Sequence, residues 1–282
     1  MRSIRPGSCP SQERRYILDC PVVSNAPVAP GHYRMRLHGP EIACAAAPGQ
    51  FCMLEVSETL YPFLRRPMCF ERILPEDFDI LYRVSGEGTR LLSKMTPGML
   101  VSAQGPLGNG FPVDPRYDRH ILVAGGIGVA ALPSLAETLV RRCSVPPQVI
   151  LAARSKDALI GAEDFCALGC PVHLATDDGS AGVRALASEM VERLEPRLGD
   201  RIYACGPMPM MKAVARIAAS GGADCLVSLE AQMACGDGAC LGCVVESKEE
   251  REGEKMVRVC VDGPVFDAQT IDWEAIRFAD DD

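Results

Sequence analysis

Histidine is scarce in this chain and poorly placed for metal binding. His32, His38, His120 and His173 all lie far upstream of the cysteine-rich C-terminal stretch. A zinc site of two cysteines and two nearby histidines is therefore excluded there. Basic runs and aromatic–basic stripes are absent, and the formal net charge is −8, which excludes a nucleic-acid-binding face. No uninterrupted apolar run spans a membrane's thickness. Ile121 to Val140 has about the right length, but Gly125, Gly126, Gly128, Pro133 and Glu137 interrupt it, so it reads as buried strand, glycine turn and helix. Met1 to Arg15 carries Arg2, Arg5, Arg14 and Arg15 without an apolar core, unlike a secretory signal. No Ser/His/Asp set or pair of spaced carboxylates stands out.

What is abundant is cysteine, fourteen in 282 residues. The chain is too long for a small disulfide-stapled scaffold, so a reducing cytosol is expected, with most thiols acting as small buried hydrophobes. Cys235-Gly-Asp-Gly-Ala-Cys240-Leu-Gly-Cys243, followed by Cys260, is different. Its C-x4-C-x2-C spacing is that of plant-type [2Fe–2S] proteins, where four thiolates hold two irons. Gly236, Gly238 and Gly242 permit left-handed turns and close approach of backbone N–H groups to sulfur. A structural zinc site is the alternative, though only Cys240 and Cys243 form a C-x2-C knuckle.

From Arg14 to about Pro115, β-rich runs recur at Arg14–Val23, His32–Leu37, Gln50–Val56, Met68–Ile73, Asp79–Val84 and Met99–Gln104, separated by Gly and Pro. This spacing predicts a small antiparallel barrel. One helix is expected, Thr89–Lys94, capped by Thr89. Arg65-Arg66-Pro67-Met68-Cys69 offers a guanidinium fork to phosphate. Leu81-Tyr82-Arg83 leads through Gly86 and Gly88-Thr89 into a helix start, which can receive an anion, and Tyr82 is a candidate to pack against a flat ring. Together these spots suggest a dinucleotide.

From Arg116 to Gly222, strands alternate with helices, which predicts a parallel sheet covered on both faces. Strand His120–Ala124 runs into Gly125-Gly126-Ile127-Gly128-Val129-Ala130-Ala131, a G-x-G-x-x-A turn in dinucleotide-binding context, with helix expected onward through Arg142. A second helix is expected over Val183–Leu194. Gly125–Gly128, Ala153–Ser155, Thr176–Gly179 and Cys205-Gly206-Pro207 all fall at strand carboxyl ends, where ligands bind in such sheets. No acid reads the ribose at the second strand's end. Arg154 and Lys156 stand there instead, which by charge favours NADP.

The order Arg66-Pro67-Met68-Cys69, Gly88-Thr89, Gly125–Gly128, Cys205-Gly206-Pro207 resembles the ferredoxin–NADP reductase superfamily. The tail, from Ser228-Leu229-Glu230 through the cysteine run to Cys260 and Asp262-Gly263-Pro264-Val265-Phe266, resembles electron-transfer subunits of class 1B dihydroorotate dehydrogenases. The resemblance implies a multidomain α/β plus β fold. Residues 1–13 form a polar tail, 14–115 an FAD-binding β-barrel, 116–222 an NAD-binding α/β domain and 223–282 a [2Fe–2S] module. It assigns FAD to Arg66, Pro67, Met68, Cys69, Leu81, Tyr82, Arg83, Gly88 and Thr89. NAD(H) goes to the parallel domain, at Gly125, Gly126, Gly128, Cys205, Gly206 and Pro207, with Cys205 facing the nicotinamide, and the cluster goes to Cys235, Cys240, Cys243 and Cys260. Cys69 stands where the family usually has Ser or Thr, and Ala131 where it often has Pro. The implied function is NADH oxidation through FAD and the cluster. An FMN-containing subunit that oxidises dihydroorotate is the expected partner, two copies of each, in the cytoplasm. A small subunit of sulfide dehydrogenase or of NADH-dependent ferredoxin:NADP reductase fits the same modules. An oxygenase reductase fits less well, since residues 223–282 are too few for a full ferredoxin domain. A non-catalytic zinc-binding interaction module is the reading from another class.

Overall fold

The computed structural model describes residues 15–57, 59–251 and 254–276. The expected N-terminal tail and the acidic end Asp280–Asp282 lie outside these residues.

The first part consists of β1 (Tyr16–Ala29), β2 (His32–His38), α1 (Pro40–Ala45), β3 (Phe51–Leu54), β4 (Arg66–Cys69), β5 (Arg72–Ile73), β6 (Asp77–Arg83), α2 (Glu87–Leu92) and β7 (Leu100–Leu107). Its strands form one antiparallel sheet in the order β4-β3-β7-β1-β2-β6-β5. The sheet curls round an apolar core that includes Met35, Leu37, Phe70, Phe78, Ile80 and Tyr82, bringing β4 back against β6.

Two local expectations change. Gly39-Pro40 starts a helix, α1, because proline fits a first helical turn and Ile42, Ala43 and Ala45 bury one side. The helix expected at Thr89 begins at Glu87, with Gly86 as N-cap. Thr89 is its third residue, and its hydroxyl accepts the N–H groups of Ser85 (3.0 Å) and Gly86 (3.2 Å).

The second part runs β8 (Arg119–Gly125), a 3-10 turn (Gly126–Ala131), α3 (Pro133–Arg142), β9 (Gln148–Ala153), α4 (Ala162–Ala167), β10 (Val172–Thr176), β11 (Val183–Arg184), α5 (Ala187–Arg193), β12 (Asp200–Cys205), α6 (Met208–Gly221) and β13 (Asp224–Ser228). The helix expected to continue through Arg142 is split, since Pro133 has no N–H to continue the turn and restarts the helix. The helix expected from Val183 starts only at Ala187; Val183 and Arg184 pair in parallel with β10.

The third part is a hairpin, β14 (Val244–Arg251) and β15 (Glu254–Arg258), followed by β16 (Val265–Asp267). β16 adds antiparallel to β13, giving the order β11-β10-β9-β8-β12-β13-β16. The cysteine-bearing segment is thus anchored on the edge of the parallel sheet.

Barrel and parallel sheet are tied by charge. The Arg34 guanidinium donates to Glu71 at 2.7 and 2.6 Å and to Asp164 of α4 at 2.7 Å, and Arg72 reaches Asp164 at 2.5 Å. Glu71 is fully enclosed, so its desolvation is offset only while Arg34 stays in place.

Within the parallel sheet the buried carboxylate Asp200 accepts Nε of Arg119 at 2.8 Å and the N–H of Arg197 at 2.9 Å. Burial opposes ionisation, but these partners prevail and hold its carboxyl below the usual value. A depressed folded-state pKa means the stabilisation is complete above the unfolded value near 3.9 and is lost as pH falls through the folded one. Asp200→Asn is expected to cost about 3 kcal/mol in urea unfolding at neutral pH, with the gap to wild type closing below about pH 4.

Candidate redox site

The cysteine loop is shaped by backbone geometry. Gly236 (φ 73) and Gly238 (φ 88) are left-handed, and the third such residue is Leu241 (φ 56) rather than Gly242. Gly242 serves the other purpose expected of it, its N–H donating to Cys240 Sγ at 3.5 Å. The sulfurs fall into two pairs. Cys235 and Cys240 lie 3.4 Å apart, and the Cys240 N–H donates to Cys235 Sγ. Cys243 and Cys260 are neighbours, with the Gly238 N–H near the Cys260 thiol. Two thiolates on one tetrahedral metal at ~2.3 Å sit about 3.8 Å apart, so each pair suits one metal. Among the described residues no three His, Cys, Asp or Glu side chains converge on a single ion. Two pairs fit a two-iron cluster better than one zinc.

The pairs differ in exposure. Cys243 and Cys260 are 2% and 1% exposed, whereas Cys235 is half-buried and Cys240 exposed. The Gly242 N–H, with the Cys235 backbone and thiol, lowers the Cys240 thiol to about 7. Burial, with Cys243 beside it, raises Cys260 to about 12. Cys260 follows β15 in a turn rather than in a strand, and Asn109 fixes that turn: its N–H donates to the Gly263 carbonyl and its side chain to Val261 and Asp262.

This loop rests on the barrel. A Cβ on Gly236 would lie 2.6 Å from Met53 Cγ, and Met53 of β3 pairs with Pro67 of β4. β4 is the Arg66–Cys69 strand. At one end Arg66 covers Gly88, where a Cβ would meet Nε at 2.3 Å. Guanidinium and helix start therefore share one spot, as a pyrophosphate requires. Arg65 is not available for it, because it binds Glu55 at 2.6 Å and the Ser102 carbonyl at 2.8 Å. At the other end Cys69 lies within electrostatic reach of Cys205 and Glu230. Burial pushes the Cys69 thiol to about 12 and Cys205 well up, with Glu230's charge adding to both. Both are neutral thiols at neutral pH, and Cys205 is paired in register with Ser228, whose side chain pulls the Cys205 thiol down against burial.

Glu230 had no role assigned from sequence. It is open to solvent, yet protein surrounds it closely enough to raise its carboxyl, with Arg83 pulling the other way. Its only signal was its place after Ser228-Leu229, which carries no distance information.

Tyr82 does not face a flat ligand. It is turned into the barrel, stacked on Tyr33 at 5.8 Å, its hydroxyl donating to Asn25 at 3.0 Å. Alternation puts its neighbours on the other face: Leu81 packs in the cluster that includes the glycine turn's Val129, and Arg83 is exposed. The turn Gly125–Gly128 meets Cys205-Gly206-Pro207 directly. A Cβ on Gly128 would lie 2.3 Å from the Cys205 carbonyl oxygen, and one on Gly125 2.6 Å from Met210 Sδ. Met211 is buried and Met210 covers the turn. Arg154 and Lys156 are exposed at the end of β9. Two hollows of about 350 and 390 Å³ lie elsewhere and hold none of the expected site residues. No helix among the described residues is long and apolar enough to cross a membrane.

Residues 230–272 match the family model described as the iron–sulfur cluster binding domain of dihydroorotate dehydrogenase B. Curated relatives are called "Dihydroorotate dehydrogenase B (NAD(+)), electron transfer subunit". That of Desulforamulus reducens is 37% identical over 92% of this chain and 99% of its own, and that of Geobacillus thermodenitrificans is 39% identical over 88% and 95%. Among solved structures, an NADH-dependent reduced ferredoxin–NADP oxidoreductase studied for flavin-based electron bifurcation superposes with a TM-score of 0.80. It is 30% identical, covering 90% of each chain. A ferredoxin NADP+ reductase from Neisseria gonorrhoeae with bound FAD and NADP shares the fold, with TM-score 0.61 and 18% identity over 73% of this chain and 92% of that one.

Proposed function

The chain belongs to the family of dihydroorotate dehydrogenase B electron-transfer subunits, and from that premise we propose that it carries electrons between NADH and an FMN-containing subunit that oxidises dihydroorotate. The reading includes two copies of each subunit in the cytoplasm. Residues 14–115 serve the flavin, 116–222 the nicotinamide and 223–282 the cluster. The observation that carries it is the joining of sites through one strand pair: Met53 touches the cysteine loop, and its partner strand bears Arg66 and Cys69.

When bound, NAD(H) supplies paired electrons, FAD exchanges them for single ones, and the [2Fe–2S] cluster passes those on. The chain's own residues position these groups. Arg66, with Gly88 and Thr89, binds pyrophosphate, while the backbone of Pro67 and Met68 and strand Leu81–Arg83 flank the flavin, Tyr82 by its main chain. Gly125, Gly126 and Gly128 receive the dinucleotide, and Cys205, Gly206 and Pro207 wall the nicotinamide side. Cys205 and Cys69, as neutral thiols, orient rather than attack. Cys235, Cys240, Cys243 and Cys260 ligate the cluster.

Anaerobically purified protein is expected to show flavin absorbance, with two irons and two acid-labile sulfides per chain. NADH should bleach the flavin first and the cluster after it, and the purified catalytic subunit should then be reduced. A colourless, zinc-loaded protein would end this reading.

A further inference from the structure

Between barrel and parallel sheet the chain crosses through Gly108-Asn109-Gly110, directly after β7. The crossover is gripped from two sides. On the barrel side the Gln50 amide donates to the Gly108 carbonyl at 2.7 Å, and the Phe111 N–H donates to the Pro48 carbonyl at 2.7 Å. A Cβ on Gly110 would lie 2.4 Å from the Pro48 oxygen. On the other side a Cβ on Gly108 would lie 2.7 Å from the Gly263 oxygen and 2.6 Å from Pro264 Cδ, and its φ is +71. Only glycine lets backbones approach this closely.

Asn109, between these glycines, points its donors at the same turn. Its N–H donates to the Gly263 carbonyl at 2.6 Å, and its side-chain amide to the Val261 and Asp262 carbonyls at 2.9 and 3.1 Å. The turn is also tied from within. The N–H groups of Val261, Asp262 and Gly263 converge on the Arg258 carbonyl at 3.3, 2.8 and 3.3 Å, and the Asp262 carboxylate accepts the Arg258 N–H at 2.7 Å. Cys260 lies between Arg258 and Asp262, and the Val259 N–H before it donates to the Cys243 carbonyl at 3.0 Å. Asn109 therefore holds from outside the backbone that carries the two enclosed cysteines.

We propose that Asn109 is a positioning residue for the cluster, acting through the Cys260 turn, and that it sets how firmly the buried pair Cys243 and Cys260 keeps its iron and how dry that side stays. This rests on the function proposed above. Groups that orient a metal's ligands are worth about 10- to 100-fold in metal affinity. The side-chain bonds are the ones at stake, since the backbone bond to Gly263 survives any substitution that keeps the N–H. Without them the carbonyls of Val261 and Asp262 turn to water, and the turn that covers Cys260, 1% exposed, loosens. Solvent exposure and hydrogen bonding to the sulfurs set the potential of such clusters. Water beside the enclosed sulfurs favours the more highly charged, reduced form, so the potential rises.

The test uses the complete, flavin- and cluster-loaded chain, prepared anaerobically, with Asn109→Ala. Release of iron to a chelator is expected to be about 10- to 30-fold faster than from wild type. In a redox titration followed by electron paramagnetic resonance, the ratio of reduced to oxidised cluster at a fixed poise should rise about tenfold, a shift of ~60 mV for one electron, and the g values of the reduced cluster should move. A residue that only stabilised the fold would change neither. Flavin content and flavin potential should match wild type. Asn109→Gln keeps the amide donors on a longer arm and should fall between the two on both readouts; being the milder change, it carries the test if the alanine variant does not fold. Iron release and potential equal to wild type overturn the proposal. So does loss of flavin together with iron, which would make the crossover a support for the barrel at large. If the wild-type chain itself holds no cluster, the function proposed above falls with it.

Discussion

Cys240→Ser is expected to remove the cluster and leave the flavin chemistry in place. Cys240 is the exposed member of its pair, held by backbone N–H groups that also favour its thiolate. A serine oxygen is a harder ligand and stays protonated at neutral pH, so it cannot replace a soft thiolate on iron. Iron and acid-labile sulfide should fall to about a tenth of wild type or less, and electron delivery to the catalytic subunit by about 100-fold or more, the scale of losing a required intermediate carrier. NADH-driven flavin reduction should stay within about twofold, because Arg66, Gly88 and the glycine turn are untouched. The readouts are iron analysis, visible absorbance and stopped-flow bleaching of the flavin. If flavin reduction vanished in a folded variant, the order nicotinamide, flavin, cluster would be wrong.

Gly128→Ala is expected to produce the converse defect. Its Cβ would be placed 2.3 Å from the Cys205 carbonyl oxygen and 2.7 Å from the Gly206 nitrogen. Both are backbone atoms of the facing turn, so no side chain can swing aside, and the two turns of the proposed nicotinamide site must separate. A shift of about 1 Å at a site that positions reactants costs on the order of 100-fold. The value of kcat/KM for NADH should fall by that amount, while the iron content stays normal and dithionite still reduces the flavin. Overpacking of this kind also lowers stability by about 1–3 kcal/mol. Gly126→Ala provides the comparison. Nothing lies within 4 Å of its Cβ, but its φ is +53, so the cost should be confined to about 1 kcal/mol of backbone strain. If the two variants lost NADH reduction equally, close packing at Gly128 would not be the cause.

Both predictions rest on features that can be read without a structure. The cysteine spacing and the glycine turn are short-range patterns whose chemistry depends on a few neighbouring residues, and alternating strands and helices announced the parallel sheet. Errors of the same local kind were small. Pro40 opens a helix where Gly and Pro between strands announce a turn, and Thr89 sits one turn after the cap position its residue type suggests.

The larger misreadings concern direction. Tyr82 was matched to a flat ligand because it precedes a glycine turn, but strand alternation and Tyr33 turn it inward. Arg65 and Arg66 look equivalent in sequence, and Glu55 and Ser102 remove one of them from phosphate binding.

The sequence by itself determined the cysteine spacing, the glycine turn and the family, since each depends on residue type and spacing along the chain. Only the tertiary structure decided that Cys235 and Cys240 sit side by side, that Glu230 lies within electrostatic reach of Cys69 and Cys205, and that β16 closes the parallel sheet. Those facts join residues far apart in the chain, Gly236 with Met53 and Arg34 with Asp164. The physical reason is that the packing of whole elements sets such distances, and no local pattern encodes them.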